Sequence, residues 1–202
     1  MIKIDNISKK YKDKFIFKHL SLSINDGEMI AITGESGVGK TTFLNCLGQL
    51  EQIDQGEILF DGEKITKKKL RKFFLETAGF LFQNFALIDN ETVKSNLAMV
   101  SKNEELIIAT LTDFGIETLL NSKVYQLSGG EQQRVALARL ILKNPSIIFA
   151  DEPTASLDEK NSHIVFEALK TLNSLGKTII VVTHDMNLAS KFDRLVKFDE
   201  LL

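Results

Sequence analysis

Asp151 and Glu152 stand side by side at the end of the run Ser146-Ile147-Ile148-Phe149-Ala150, and Pro153 follows them directly. Two adjacent carboxylates can divide labour, one holding a metal ion and the other taking a proton. The apolar run before them is short and has no helical period, so it reads as a parallel strand covered on both faces. Open α/β sheets place their ligands at the carboxyl ends of such strands, and Pro153 prevents this one from continuing. Taken alone, a strand followed by a charged turn would look the same.

A second stretch decides between these readings. The apolar strand Glu28-Met29-Ile30-Ala31-Ile32-Thr33 leads into Gly34-Glu35-Ser36-Gly37-Val38-Gly39-Lys40-Thr41-Thr42, which fits the phosphate-binding loop at every fixed position. Gly34, Gly37 and Gly39 let the backbone turn with its N–H groups inward, ringing phosphates at the start of a helix predicted over Thr41–Leu50. Lys40 supplies a point charge for the β- and γ-phosphates, and the Thr41 hydroxyl is placed for Mg²⁺.

Further candidates lie along the chain. The strand Thr178-Ile179-Ile180-Val181-Val182-Thr183 ends at His184, on the same strand-end edge as the carboxylates, where an imidazole can meet a γ-phosphate. In Leu127-Ser128-Gly129-Gly130-Glu131, Ser128 is a helix N-cap and the two glycines expose backbone N–H groups at the positive helix end, a candidate second anion site. With one loop already holding phosphates, this second site points to nucleotide held between two subunits. Tyr11, placed on the first connection, could stack on a purine base or pack in its loop.

These residues need elements to position them. Residues 1 to about 32 read as antiparallel strands with Asn25-Asp26-Gly27 as a turn, and Gly56 to Phe60 followed by Asp61-Gly62 reads as a strand entering a hairpin. Lys67, Lys68, Lys69, Arg71 and Lys72 form a basic cluster on a helix, either a solvated face or a phosphate or partner contact. Ala78 to Phe82 is a strand ending at Gln83. From Asn84 to about Lys143 the period is helical, so a helical insertion sits between two core strands. A helix from Glu159 to Leu175, ending at Gly176, and a last strand over Leu195 to Phe198 complete the chain.

At 202 residues and 44% apolar content the chain is expected to fold as a soluble globule with a sizeable core. Its formal charge of -2 gives no support for broad nucleic-acid binding, and no nucleic-acid partner is expected. The single cysteine, Cys46, reads as a small apolar helix residue and fits a reducing compartment. The N-terminus lacks the apolar core of a signal peptide, and no window approaches the roughly 18 apolar residues that span a bilayer. A membrane role would therefore come through a partner chain.

Taken together, and in this order, the segments resemble the ATP-binding cassette (ABC) ATPases along essentially the full length. The resemblance implies one α/β domain over 1–202. Its phosphate-loop NTPase core (about 1–83 and 144–202) carries an N-terminal antiparallel β subdomain and an inserted α-helical subdomain (about 84–143). It makes Gly34 to Thr42 the Walker A loop, Gln83 the Q-loop glutamine and Leu127 to Glu131 the signature. Ile147 to Asp151 becomes the Walker B strand, Glu152 the catalytic carboxylate, Ala155 to Asp158 the D-loop, His184 the switch histidine and Tyr11 the adenine-stacking aromatic.

By the same likeness, two ATP molecules are sandwiched in a head-to-tail homodimer, with Lys40 of one copy and Ser128, Gly129 and Gly130 of the other at each γ-phosphate. Glu152 polarises the attacking water, His184 steadies the γ-phosphate, and Thr41, Gln83 and Asp151 serve Mg²⁺. Integral-membrane permease subunits would hold the chain at the cytoplasmic face of the membrane. The stretch from Gly79 to Val93 looks like the macrolide-export and lipoprotein-release branch, and most of all like Gram-positive bacteriocin-export ATPases. Peptide or antimicrobial export is the leading expectation; mechanotransmission, import and a soluble role are the alternatives. With the sequence ending at Leu202, no regulatory C-terminal domain is expected.

Overall fold

The computed structural model describes residues 1–155 and 157–202. Strands β1 (Ile2–Tyr11) and β2 (Lys14–Ile24) form an antiparallel hairpin, and β3 (Met29–Thr33) then enters a different sheet. Helix α1 (Lys40–Leu47) follows the glycine-rich loop, and β4 (Gln55–Phe60) with the short β5 (Glu63–Lys64) returns to the first sheet, in the order β2-β1-β4-β5. The alternation of Ile2 and Ile4 is broken at Asn6, whose φ of 50° marks a bulge; it shifts the register so that Ile7 is buried as well.

Helix α2 (Lys67–Lys72) buries none of its residues, and β6 (Ala78–Leu81) starts the second sheet. Two of the lysines in the basic cluster are paired, Lys69 with Glu63 and Lys72 with Glu76, which fits the solvated-face reading. Next come α3 (Val93–Leu97), α4 (Glu104–Asp113) and α5 (Gly129–Lys143). The end of the chain adds β7 (Ile147–Asp151), α6 (Glu159–Ser174), β8 (Thr178–Thr183), α7 (Met186–Ala189) and β9 (Arg194–Lys197). The second sheet is parallel throughout, in the order β6-β7-β8-β3-β9. Every residue of β3 and β8 is buried, as interior strands with both faces covered require.

Several expectations are corrected: the antiparallel reading of residues 1 to about 32 fails for β3, which pairs parallel with β8 and β9, and β6 ends at Leu81, one residue before Phe82. Helix α1 spans Lys40–Leu47 and stops short of Leu50: Gly48 caps it, so close to Phe80 that a Cβ there would lie 2.5 Å from the ring, and the chain turns away with Gln49 at φ 59°. Tyr11 is the last residue of β1, paired with Lys14, and so lies on a strand rather than on the connection. The final strand is Arg194–Lys197, since Phe198 already opens a 3₁₀ turn. Of the stretch Ala155 to Asp158, Ser156 lies outside the described residues.

The core explains why the phosphate loop is held firmly. Phe17 of β2, Phe43 of α1 and Phe198 meet ring to ring, with centroids 5.5 to 6.3 Å apart, and tie the first sheet and the chain's last turn to the helix that opens from the loop. Helix α5 serves two cores at once. Ala136, Leu137 and Leu140 pack under the parallel sheet, while Val135 and Ala138 pack with Val93, Leu97, Ile107 and Leu111. Cys46 is fully buried, and burial pushes its thiol up to about 12, so it is a neutral packing group as the sequence implied.

Candidate functional site

The chemistry-bearing residues gather where β3, β7 and β8 end. Gly37 and Gly39 take φ values of 81° and 112°, conformations that a side chain strongly disfavours, and a Cβ on Gly39 would lie 2.5 Å from the Ile16 side chain. The loop thus turns tightly against β2 and delivers α1 with its first N–H groups open. Lys40, only 6% exposed, folds back so that its ammonium donates to the carbonyl oxygens of Gly34 and Glu35, both at 2.8 Å. The Thr41 hydroxyl donates to Asp151 Oδ1 at 3.0 Å, joining the phosphate loop to the end of β7.

Glu152, one residue further, is held in the left-handed region at φ 47°, which costs a non-glycine residue about 1–3 kcal/mol. Its N–H donates to Val182 O at 2.9 Å, and its carboxylate accepts from the Thr183 hydroxyl at 3.0 Å and the His184 N–H at 3.1 Å. The His184 ring nitrogen Nδ1 lies 2.9 Å from Glu152 Oε1. The strained turn aims the carboxylate across the strand ends at His184 instead of outward; the Glu152 side chain is 16% exposed and that of His184 59%.

A cleft of about 330 Å³ is bordered by Ser36, Gly37, Gly39, Lys40, Thr41, Thr42, Gln83, Glu152 and His184. The structure therefore brings together the phosphate loop, Gln83, Glu152 and His184, with Asp151 joined through Thr41. Glu35 reaches Lys40 through its backbone oxygen, whereas Val38 turns into the core of the first sheet. Ser128, Gly129 and Gly130 do not border the cleft. They form the tip of α5, where Ser128 caps the helix and shares a reciprocal capping box with Glu131. Tyr11 also stands outside the lining; its hydroxyl bonds to Glu51 and lies beside Thr42.

The oxygen set of Thr41 and Asp151, with the Gln83 amide on the same cleft, suits a hard divalent cation that keeps water and phosphate oxygens as its other ligands. Burial and the neighbouring Glu152 carboxylate push the Asp151 carboxyl above its usual range, against the pull of the Thr41 hydrogen bond and Lys40. A carboxyl whose folded pKa is raised holds its proton more tightly in the folded state. Its ionised form therefore costs stability at any pH above the value of the unfolded carboxyl, neutral pH included, and the cost grows until the pH has passed the folded value. Asp151→Asn is expected to raise the melting temperature of the ligand-free protein at neutral pH by a few degrees, about 2–4 °C for each kcal/mol. The same variant should lose the further stabilisation that Mg²⁺ adds with ATP. Thermal unfolding with and without Mg²⁺ and ATP checks both; a ligand-free variant less stable than wild type at neutral pH would refute it.

Two supporting residues were not singled out from the sequence. Arg139, on α5, donates to Phe85 O at 3.0 Å and Ala86 O at 2.7 Å, pinning the segment after Gln83 where Phe85 and Ala86 both have positive φ. Its signal was a lone arginine inside the apolar run of α5. Thr183, fully buried, supplies the hydroxyl that orients Glu152, and it looks like any β-branched strand residue.

Comparison with known proteins identifies the family. A model of the ABC transporter family matches residues 17–155, and the chain belongs to that family. It is an ATP-binding cassette ATPase, a class that works on ATP with Mg²⁺. The chain is 38% identical to the ABC transporter ATP-binding protein YxdL of Bacillus subtilis, over 97% of this chain and 82% of that protein. It is also 38% identical to the lipoprotein-releasing system ATP-binding protein LolD of Buchnera aphidicola, over 98% and 94%. Against the macrolide export ATP-binding/permease protein MacB of Pasteurella multocida identity is 39%, over 97% of this chain but 32% of that protein, so the chain spans about a third of it. Among solved structures, a dimeric bacterial ABC transporter cassette, MJ0796, superposes with a TM-score of 0.88 at 37% identity, covering 98% of this chain and 94% of that one. A second dimeric MJ0796 structure, in a post-hydrolysis state with ADP and Pi, gives a TM-score of 0.87.

Proposed function

We propose that this chain is the ATP-hydrolysing subunit of a membrane exporter and that it acts as a head-to-tail pair of copies. One observation carries the reading. Lys40, Thr41, Gln83, Glu152 and His184 border a single cleft, while the anion-seeking tip formed by Ser128 and Gly129 is exposed and faces elsewhere. One set of phosphate-binding groups is gathered in the cleft and a smaller set is presented outside it, so a second copy completes each site.

In the assembled site the loop from Gly34 to Thr42 holds the triphosphate, Lys40 neutralises the β- and γ-phosphates, and Tyr11 stacks on the base. Ser128, Gly129 and Gly130 of the facing copy donate to the γ-phosphate. Glu152 takes the proton of the water that attacks the γ-phosphorus, ADP departs, and His184 steadies the transferred group through its imidazole. Thr41, Asp151 and Gln83 would hold Mg²⁺, which when bound would neutralise phosphate charge.

Coupling to a permease is supported by the segment after Gln83. Val124 and Tyr125 bond back to Glu91 O and Asp89 O, and the exposed apolar side chains Ile88 and Tyr125 stand on that part of the helical insert, 84–143. Residues 1–83 and 144–202 form the core on which this insert moves. The chain would then sit at the cytoplasmic face of the membrane. The names of MacB, macrolide export, and LolD, lipoprotein release, support outward movement, and the stretch from Gly79 to Val93 supports a peptide or antimicrobial as cargo.

The pairing is tested by light scattering of the purified protein with Mg²⁺ and a non-hydrolysable ATP analogue. A dimer is expected for wild type, and a monomer that still binds nucleotide for Ser128→Arg. A wild-type protein that stays monomeric there, and shows no such pairing with its permease, would overturn the reading.

A further inference from the structure

The end of β1 is fastened to the segment that follows α1. Lys10 N–H donates to Asp54 Oδ2 at 2.8 Å, and Asp54 N–H donates to Ser8 O at 2.9 Å. Lys9, 8% exposed, donates to Gln52 O at 2.7 Å and pairs with Glu51 Oε1 at 3.1 Å. The same carboxylate oxygen, Oε1, accepts the Tyr11 hydroxyl. The Lys9 ammonium also stands 5.2 Å from the centroid of the Tyr11 ring. An ammonium therefore covers one face of the ring, a carboxylate holds its hydroxyl, and the residue as a whole is 47% exposed.

From this geometry we infer that Glu51, braced by Lys9, is a positioning residue for the purine base of the nucleotide. It fixes the Tyr11 ring so that the uncovered face is ready to stack. The inference rests on the reading of Tyr11 as the base platform. Glu51 touches neither base nor phosphate and acts only through the tyrosine. The physical gain is preorganisation, because an exposed aromatic side chain that must be immobilised on binding loses affinity to the entropy of that ordering. Glu51 lies in the turn after α1, and its N–H donates to Asn45 O at 3.2 Å, so the helix that opens from the phosphate loop also anchors the residue that holds the ring.

The test separates base from phosphate by using two probes, ATP and inorganic tripolyphosphate, each with Mg²⁺. Base stacking on an aromatic side chain is worth a roughly 5- to 100-fold change in affinity, and loss of the anchor alone should remove a smaller part of it. Glu51→Ala is expected to raise the KM for ATP about three- to tenfold, with kcat and inhibition by tripolyphosphate unchanged. Glu51→Gln, whose amide oxygen still accepts from the Tyr11 hydroxyl, should recover most of the loss. Tyr11→Phe should reproduce Glu51→Ala, and combining the two should add nothing further. If Tyr11→Ala raises the KM but Glu51→Ala leaves it at the wild-type value, the anchoring role is wrong while the stacking role stands. If Tyr11→Ala itself has no effect, the stacking role fails and takes this inference with it. Equal weakening of ATP and tripolyphosphate in Glu51→Ala would assign Glu51 to the loop's general architecture and overturn the inference.

Discussion

Glu152→Gln is expected to keep ATP bound and to lower turnover by roughly 10²–10⁴-fold, the contribution of a positioned general base. The substitution is nearly isosteric. An amide oxygen can still accept from the Thr183 hydroxyl and the His184 N–H, so the turn at φ 47° keeps its side-chain tethers. What changes is that an amide cannot receive the proton of the attacking water. Two halves joined by ATP would then part slowly, and a nucleotide-dependent dimer should accumulate where wild type shows little. Phosphate release together with solution mass in the presence of Mg²⁺ and ATP measures both effects. Turnover close to wild type in Glu152→Gln would remove this carboxylate from the role of base.

The phosphate loop and the signature were readable from sequence because their chemistry is local. Glycines at fixed spacing make a nest, and a Ser followed three residues later by Glu makes a capping box, which the structure shows between Ser128 and Glu131. The buried strands β3, β7 and β8 were readable for a similar reason, since apolar runs covered on both faces need no knowledge of their neighbours. The order of those strands was not. That β3 lies between β8 and β9 depends on crossovers that leave no trace in any short window. The same limit hid the left-handed turn at Gln49 that follows α1, and the bulge at Asn6.

At the candidate site, residue identities were legible but their constraints were not. Glu152 could be named from its place after Asp151, yet nothing in its type announces a left-handed backbone, which is stabilised by Val182 and Thr183 from a neighbouring strand. Arg139 likewise gains its role only when α5 passes beside Phe85 and Ala86. Sequence carries the chemistry of a site more plainly than the contacts that hold it in place.

Lys40→Ala is expected to weaken ATP binding about 10- to 100-fold, since one charge-assisted contact to a phosphate contributes roughly 1.5–3 kcal/mol. The ammonium donates to the carbonyl oxygens of Gly34 and Glu35, its partners among the described residues being neutral. Its charge is therefore left for a polyanion to satisfy. Loss of the side chain frees two loop carbonyls, and the Glu35 end of the loop is exposed, so water can replace the ammonium there at little cost to the fold. The loop's backbone N–H groups remain, which is why binding should weaken and not vanish. Lys40→Arg is not a rescue, because a planar fork replaces a compact ammonium in a position that is 6% exposed. Calorimetric titration with Mg²⁺ and ATP gives the affinity directly. The thermal shift at saturating nucleotide should shrink in step, because ligand stabilisation follows RT ln(1 + [L]/Kd). A variant that binds ATP as wild type does would mean that the loop backbone alone carries the triphosphate and that Lys40 is a structural brace for Gly34 and Glu35.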